Sequence, residues 1–387
     1  METLKYENLR QRRILIFSLV YYPNMIGGAE VAVKEITDRI FTRKIIFDMI
    51  TLGEGRQMTE EVVGNVNVFR IFKKIGTVQK MLFPFAAFYL ATKLNSERPY
   101  DAVWSIMASY AGLSGVLFKK AHKDVPFILT VQEGDHFERR EGLFGPMFRM
   151  IFKAADRIQA ISAFLADWSK KMGAKCPITV IPNGVDYEAF SKPIDEATRH
   201  RLRSDDGFAD SDKVILTTGR LVDKNAVDDI IKSLQYLDGS YKLAIYGAGE
   251  NETELRDLAA ELQVSERVFF MGFVPHSALP DCLKAADVFV RPSRTEGLGN
   301  SFLEAMAAGT PVVGTPVGGI PDFLTDGETG LLCEADNPRS IAQKIEKFVK
   351  DGESRGYIVR KAREMVAERY RWEGIAARME AILEMRG

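Results

Sequence analysis

Cysteine is scarce. Cys176, Cys282 and Cys333 are the only three in 387 residues, far apart and without ligand spacing. So sparse and odd a set excludes a disulfide framework and a zinc-finger pattern, and it fits a reducing compartment. The four histidines, His122, His136, His200 and His276, form no metal-binding pair. Long apolar runs are also missing. Met81 to Thr92 is twelve uncharged residues between Lys80 and Lys93, short of the roughly 20 needed to span a bilayer. The first residues, METLKYENLRQRR, carry both signs of charge and no apolar core, so no signal peptide is expected and a cytoplasmic location is. Nor is there an excess of charge: 52 basic and 53 acidic side chains leave a net charge of −1. A general nucleic-acid binder needs a net basic surface to displace counterions from phosphate, so nucleic acid is excluded as a general partner.

What is present is an ordinary globular composition, 46% apolar and 27% charged. At about 100–200 residues per domain the length predicts two domains. Short β-rich apolar runs alternate with helical patterns throughout. Strands are expected at 13–18, 45–51, 102–107, 127–132, 157–161 and 178–181, and then at 213–218, 242–246, 268–271, 288–291 and 311–313. Continuous apolar strands separated by helix-length segments imply βαβ units and parallel sheets buried on both faces. The expected fold class is therefore α/β: two doubly wound, Rossmann-like domains of similar size, facing each other across a cleft. The boundaries fall at 1–190 and 191–370, with a helix at 371–387 packing back on the first domain. A polar stretch, 186–212, reads as the linker.

In such sheets ligands bind at the carboxyl ends of the strands. After 13–18, Gly27 and Gly28 open an amphipathic helix, which fits either a phosphate approaching a helix N-terminus or a tight turn capped by glycine. After 213–218, Arg220 and Lys224 stand four residues apart, a diphosphate clamp or a solvated loop. Gly247 and Gly249 begin a dinucleotide fingerprint that fails at Glu252, so a NAD-binding enzyme is not supported. The most informative segment is RPSRTEGLGNSFLEAMAAG, 291–309. Glu296 precedes a glycine-bounded loop and Glu304 lies eight residues on, inside the following helix. Backbone N–H groups of Gly297, Leu298, Gly299, Asn300 and Ser301 stand at that helix's N-terminus, where phosphate is favoured. Carboxylates beside a phosphate site find natural partners in sugar hydroxyls.

These residues closely resemble the retaining, GT-B-fold glycosyltransferases of family GT4, over nearly the whole chain. The E-x7-E element is Glu296…Glu304, followed by AMAAGTPVVGTPVGGIPD; IPNGVD at 181–186, GRLVDKN at 219–225, YGAG at 246–249, GFV at 272–274 and the glycines at 27–28 support it. The resemblance implies that Arg220 and Lys224 hold the donor diphosphate and that Gly27 and Gly28 let it approach. It implies that Glu304 bonds the ribose hydroxyls, that Phe273 and Val274 flank the base, and that Glu296 bonds the transferred sugar beside the N–H groups of Leu298 to Ser301. Cations and helix N-termini then absorb the charge of the leaving diphosphate, so no metal and no other cofactor is expected. Retention of anomeric configuration follows from the resemblance, with no protein carboxylate assigned as general base.

One departure stands out. Many relatives carry a histidine after the strand written here FILTVQEGD; this chain has Gln132 there, and His136 four residues later is a weaker substitute. Gln132 can still bond a sugar hydroxyl. The departure motivates a second reading, a non-catalytic nucleotide-sugar-binding subunit of a glycosyltransferase complex. The expected activity is transfer of a hexose from a UDP- or GDP-sugar to a glycan or lipid-linked acceptor in cell-envelope or polysaccharide biosynthesis.

Two segments of the first domain bear on the acceptor. Residues 70–93 hold five basic and no acidic residues among Phe83, Phe85, Phe88 and Tyr89, and 139–175 hold eight basic residues against three acids. Both fit the wet and buried faces of ordinary helices, or peripheral contact with an anionic membrane.

Overall fold

The computed structural model describes residues 11–23, 27–40, 44–53, 60–134, 137, 142 and 145–385. The chain divides into two compact units, Met1–Asn183 with Trp372–Gly387, and Gly184–Arg371.

The first unit is built on one sheet. Its strands are β1 (Arg12–Phe17), β2 (Ile45–Leu52), β3 (Glu60–Val63), β4 (Val66–Ile71), β5 (Ala102–Ile106), β6 (Phe127–Val131), β7 (Arg157–Ala160) and β8 (Ile178–Val180). Their spatial order is β3-β4-β2-β1-β5-β6-β7-β8, parallel except where β3 pairs antiparallel with β4. Ile14, Leu15, Ile16 and Phe17 in β1 are all fully buried, as both faces of a helix-covered sheet require. The β3–β4 hairpin was not among the expected strands. It turns on Gly64 and Asn65, and Gly64 is at φ +58 with the Asp38 carboxylate where a Cβ would stand. Asp38 also accepts the Asn65 N–H at 2.9 Å. The helix Trp372–Glu384 lies against Gly28–Arg39, where Ile375 and Met379 join Val33 and Ile36 in one core.

The second unit holds β9 (Lys213–Thr218), β10 (Tyr241–Tyr246), β11 (Val268–Gly272), β12 (Val288–Arg291), β13 (Val312–Gly314) and β14 (Leu331–Leu332). All neighbours are parallel, in the order β11-β10-β9-β12-β13-β14. The strand order reverses between β9 and β12, and between β1 and β5 in the first unit. Such a switch point opens a crevice at the carboxyl ends, where adjacent loops part to opposite faces. The folds are thus two Rossmann-like α/β units.

The stretch 186–212 is not an extended linker. It folds into helices Tyr187–Ser191 and Glu196–Asp205, capped by the Asp186 and Asp195 side chains, which accept from Ala189 N (3.1 Å) and Thr198 N (2.7 Å). The second helix is fastened by charge: buried Arg203 donates to Ala285 O at 2.9 Å and pairs with Asp287.

Candidate functional site

The loops after β9, β11 and β12 build the site in the second unit. Arg291 ends β12, and Glu296 follows five residues later. Arg291 Nη2 donates to Glu296 Oε2 at 2.9 Å and to Asn225 Oδ1 at 2.8 Å, while Nη1 donates to Ser301 Oγ at 2.8 Å. The side chains of Arg291 and Glu296 are 12% and 10% exposed. Asn225 in turn donates from Nδ2 to Arg220 O at 2.6 Å. One guanidinium therefore joins the loop after β9, the loop after β12 and the first turn of the helix Asn300–Ala308. The other Glu296 oxygen accepts Gly297 N–H at 3.1 Å.

Gly299 precedes that helix at φ +102, a left-handed conformation, and a Cβ there would press on Phe302 at 2.9 Å. Phe302 is fully buried between Phe289 and Phe323, which fixes the helix start relative to the sheet. Glu304, in the second turn, lies with Oε1 3.0 Å from His276 Nε2. Below Glu296, Gly318 at φ +55 has no room for a Cβ, which would meet Glu296 O at 1.8 Å; the next residue, Gly319, donates its N–H to that oxygen at 3.1 Å.

A second arginine braces the outer loops. Arg294 donates to both Asp228 oxygens at 3.0 Å, to Asp229 at 2.9 Å, to Asp336 at 2.7 Å and to Asp223 O at 2.7 Å. Its guanidinium pKa is raised, chiefly by the hydrogen bonds to Asp228 and also by those to Asp336. The Asp229 carboxyl is pushed up by burial first and by its neighbour Asp228 second. A cavity of about 700 Å³ nearby is lined by Asp223, Asp228, Glu254, Asp257, Lys232 and Arg294. The surplus of carboxylates makes it a poor seat for a diphosphate.

Of the residues expected at the site, Arg220, Lys224, Glu296, Gly297, Leu298, Gly299, Asn300, Ser301 and Glu304 lie on the loops at the β9/β12 switch point or on the helix beyond them. Arg220 is exposed and Lys224 half-buried, the latter in a single turn Asp223–Asn225. Phe273 and Val274 follow β11, and Phe273 is 81% exposed. Gly27, Gly28 and Gln132 belong to the first unit. Gly27 caps the helix Gly28–Arg39, and its N–H donates to Glu30 Oε2 at 2.8 Å, so one N-terminal donor already has an anionic partner. Gln132 follows β6 and accepts from Asn183 Nδ2 at 3.2 Å. His136 lies outside the described residues. Gly247 and Gly249 have a packing role: Cβ atoms there would stand 1.9 Å from Gly219 O and 2.3 Å from Leu221 O, so glycine lets the loops after β9 and β10 touch.

Arg291, Asn225 and His276 were not among the expected site residues. Arg291 left one signal, a lone cation closing an apolar strand; the partners of the other two are visible only once the loops converge.

Of the two basic segments, the helix Thr77–Glu97 leaves Val78, Met81, Leu82, Phe85 and Tyr89 exposed while burying Phe83, Pro84, Ala87 and Ala91. In Gly145–Ala154, Ile151 and Phe152 are core residues, and Met150 is exposed. Among the described residues no helix is long and apolar enough to cross a membrane.

The chain matches two family models, Glycosyltransferase Family 4 over residues 26–189 and Glycosyl transferases group 1 over 198–365. It is 30% identical over 378 residues to the N-acetyl-alpha-D-glucosaminyl L-malate synthase of Bacillus anthracis, covering 95% of this chain and 96% of that one. Over 250 residues it is 31% identical to the GDP-mannose-dependent monoacylated alpha-(1-6)-phosphatidylinositol monomannoside mannosyltransferase of Corynebacterium glutamicum, 61% of this chain and 64% of the relative. The crystal structure of Anabaena Alr3699/HepE in complex with UDP and glucose superposes with a TM-score of 0.80 at 19% identity, over 96% of this chain and 99% of that one. With two Rossmann-like units and both family models matched, the chain belongs to the GT4 glycosyltransferases of the GT-B fold.

Proposed function

We propose that the protein is a metal-independent, retaining hexosyltransferase that uses a UDP- or GDP-sugar. The observation that carries this reading is the Arg291–Glu296 pair, which presents a fixed, buried carboxylate at the β9/β12 switch point beside the N-terminus of the helix Asn300–Ala308. Glu296 accepts hydroxyl hydrogens of the transferred sugar, and Glu304 those of the ribose. Arg220, Lys224 and the N–H groups of Leu298 to Ser301 take the diphosphate, with Phe273 and Val274 beside the base. In the reaction the bond from C1 to the β-phosphate oxygen breaks while the acceptor oxygen bonds to C1 on the same face. The acceptor's proton passes to the departing phosphate oxygen, and nucleoside diphosphate leaves. Two cations and oriented N–H groups stabilise the charge that builds on that oxygen. In the first unit Gln132, its carbonyl accepting from Asn183, keeps an amide N–H able to donate to a sugar hydroxyl.

The relatives named above support both donor classes: one is named GDP-mannose-dependent, and one structure holds UDP and glucose. The test measures release of UDP or GDP from candidate donors with a saccharide acceptor, after thermal-shift ranking of UDP, GDP and ADP. Tight nucleotide binding without turnover, unchanged by Glu296→Gln, would instead establish the non-catalytic subunit.

For the acceptor we propose a glycan or lipid-linked saccharide reached at an anionic membrane face. Residues 78, 81, 82, 85 and 89 follow i, i+3, i+4, i+7 spacing along one side of the helix Thr77–Glu97, all exposed. Lys73, Lys74, Lys80 and Lys93 flank them, and no acid occurs from 70 to 96. An apolar stripe edged by cations suits shallow insertion among anionic headgroups. Co-sedimentation with vesicles containing phosphatidylglycerol tests it, and absence of binding at low salt sinks it.

A further inference from the structure

We infer that His276 is a positioning residue for Glu304, and that this pair ties recognition of the base to recognition of the ribose. The inference rests on the reading of Glu304 as the ribose carboxylate.

His276 and Glu304 come from different elements. His276 sits three residues past Phe273 in the loop that follows β11, and Glu304 projects from the helix Asn300–Ala308. Nε2 and Oε1 are 3.0 Å apart. An ionised carboxylate only accepts, so the ring donates through Nε2–H. The imidazole is steadied by the buried Phe190, whose ring centroid is 5.4 Å away at 57°. The Glu304 side chain is 14% exposed and the His276 side chain 54%. The histidine thus bridges an open loop and a nearly enclosed carboxylate.

This contact orients the carboxylate without consuming it. Each carboxylate oxygen has two lone-pair sites. With one site on Oε1 taken by His276, one remains there and two remain on Oε2, enough for the two neighbouring hydroxyls of a ribose. What His276 removes is rotation of a long side chain, whose freedom otherwise opposes binding. Because the same loop carries Phe273 and Val274, a base that settles the loop also settles Glu304.

The pair should therefore sharpen discrimination at the ribose. The experiment compares UDP and GDP with their 2′-deoxy counterparts by calorimetry, using wild type, His276→Ala and His276→Gln, alongside donor KM and kcat. Wild type is expected to favour the ribonucleotide by about tenfold or more, as a site built for a hydroxyl does. In His276→Ala this ratio is expected to shrink about fivefold, with donor KM raised and kcat within about twofold, the pattern of lost uniform binding. His276→Gln, which keeps an N–H donor, should restore most of the ratio; a general structural defect would not be rescued this way. If wild type fails to discriminate, the ribose reading of Glu304 falls and the inference with it. If wild type discriminates and His276→Ala keeps the same ratio, the inference alone is overturned.

Discussion

Arg291 holds Glu296 at 2.9 Å through Nη2, which also holds Asn225, while Nη1 holds Ser301. The carboxylate assigned to the sugar is therefore set by a residue whose own position is fixed at the end of a buried strand.

Removing Arg291 strands a carboxylate that is only 10% exposed. Breaking one partner of a buried pair typically costs about 3–5 kcal/mol. Arg291→Ala is expected to lower urea stability by about that amount and to abolish turnover. The double variant with Glu296→Ala should recover part of the stability and none of the activity. Equal stability of single and double variants would show that the pair is not coupled.

Glu296→Gln keeps shape and loses charge. If the carboxylate serves the reacting sugar, kcat should fall by about 100-fold or more while UDP or GDP affinity stays within about threefold. Steady-state kinetics beside calorimetry separates the two. A proportional loss of nucleotide affinity would move Glu296 to nucleotide binding.

Gly318→Ala places a Cβ 1.8 Å from Glu296 O at a residue with φ +55. Strain of both kinds is expected to destabilise the protein by about 2–4 kcal/mol. The loop carrying Glu296 must shift to relieve it, so turnover should fall in the folded fraction too. Unchanged melting and unchanged rate would contradict this geometry.

Phe85→Ser with Tyr89→Ser removes two exposed rings from the helix Thr77–Glu97. Since neither side chain is in the core, stability should change by no more than about 0.5 kcal/mol. Binding to phosphatidylglycerol vesicles should weaken at least about tenfold, while turnover on a soluble acceptor holds. Undiminished vesicle binding would remove this stripe from the membrane face.

Cys333 is 3% exposed, its thiol donates to Gly314 O at 3.3 Å, and burial pushes its pKa up to about 12. It should resist iodoacetamide at pH 8 in the native state, because the thiolate is the reactive form. The half-buried Cys176 and Cys282 should label first. Mass spectrometry of labelled peptides gives the order directly.

Most of the parallel strands were legible because they are largely apolar runs, the pattern a sheet covered on both faces imposes; parallel β14 was missed because it is only two residues long. The β3–β4 hairpin escaped notice because Glu60, Glu61, Asn67 and Arg70 interrupt the apolar run at the sheet's edge. The helices between 187 and 205 read as linker because the stretch is polar and its longer helix, EATRHRLRSD, is fastened by Arg203 and carries no apolar stripe. At the site, Glu296, Glu304 and the glycines around them announced themselves by spacing. The reach of Arg291 to Asn225 spans 66 residues of sequence and that of His276 to Glu304 spans 28; such pairs exist only after the loops meet. Gly247 and Gly249 carried a motif-like signal whose cause is backbone packing against Gly219 and Leu221.

The first unit takes its last element, Trp372–Glu384, from beyond the whole second unit. On the ribosome, all 188 residues of Gly184–Arg371 emerge before it does. At about 5–20 residues per second that interval is roughly 10–40 s. During it the nascent first unit displays Val33 and Ile36 with nothing from Ile375 or Met379 to cover them. The unit synthesised first is thus the one completed last.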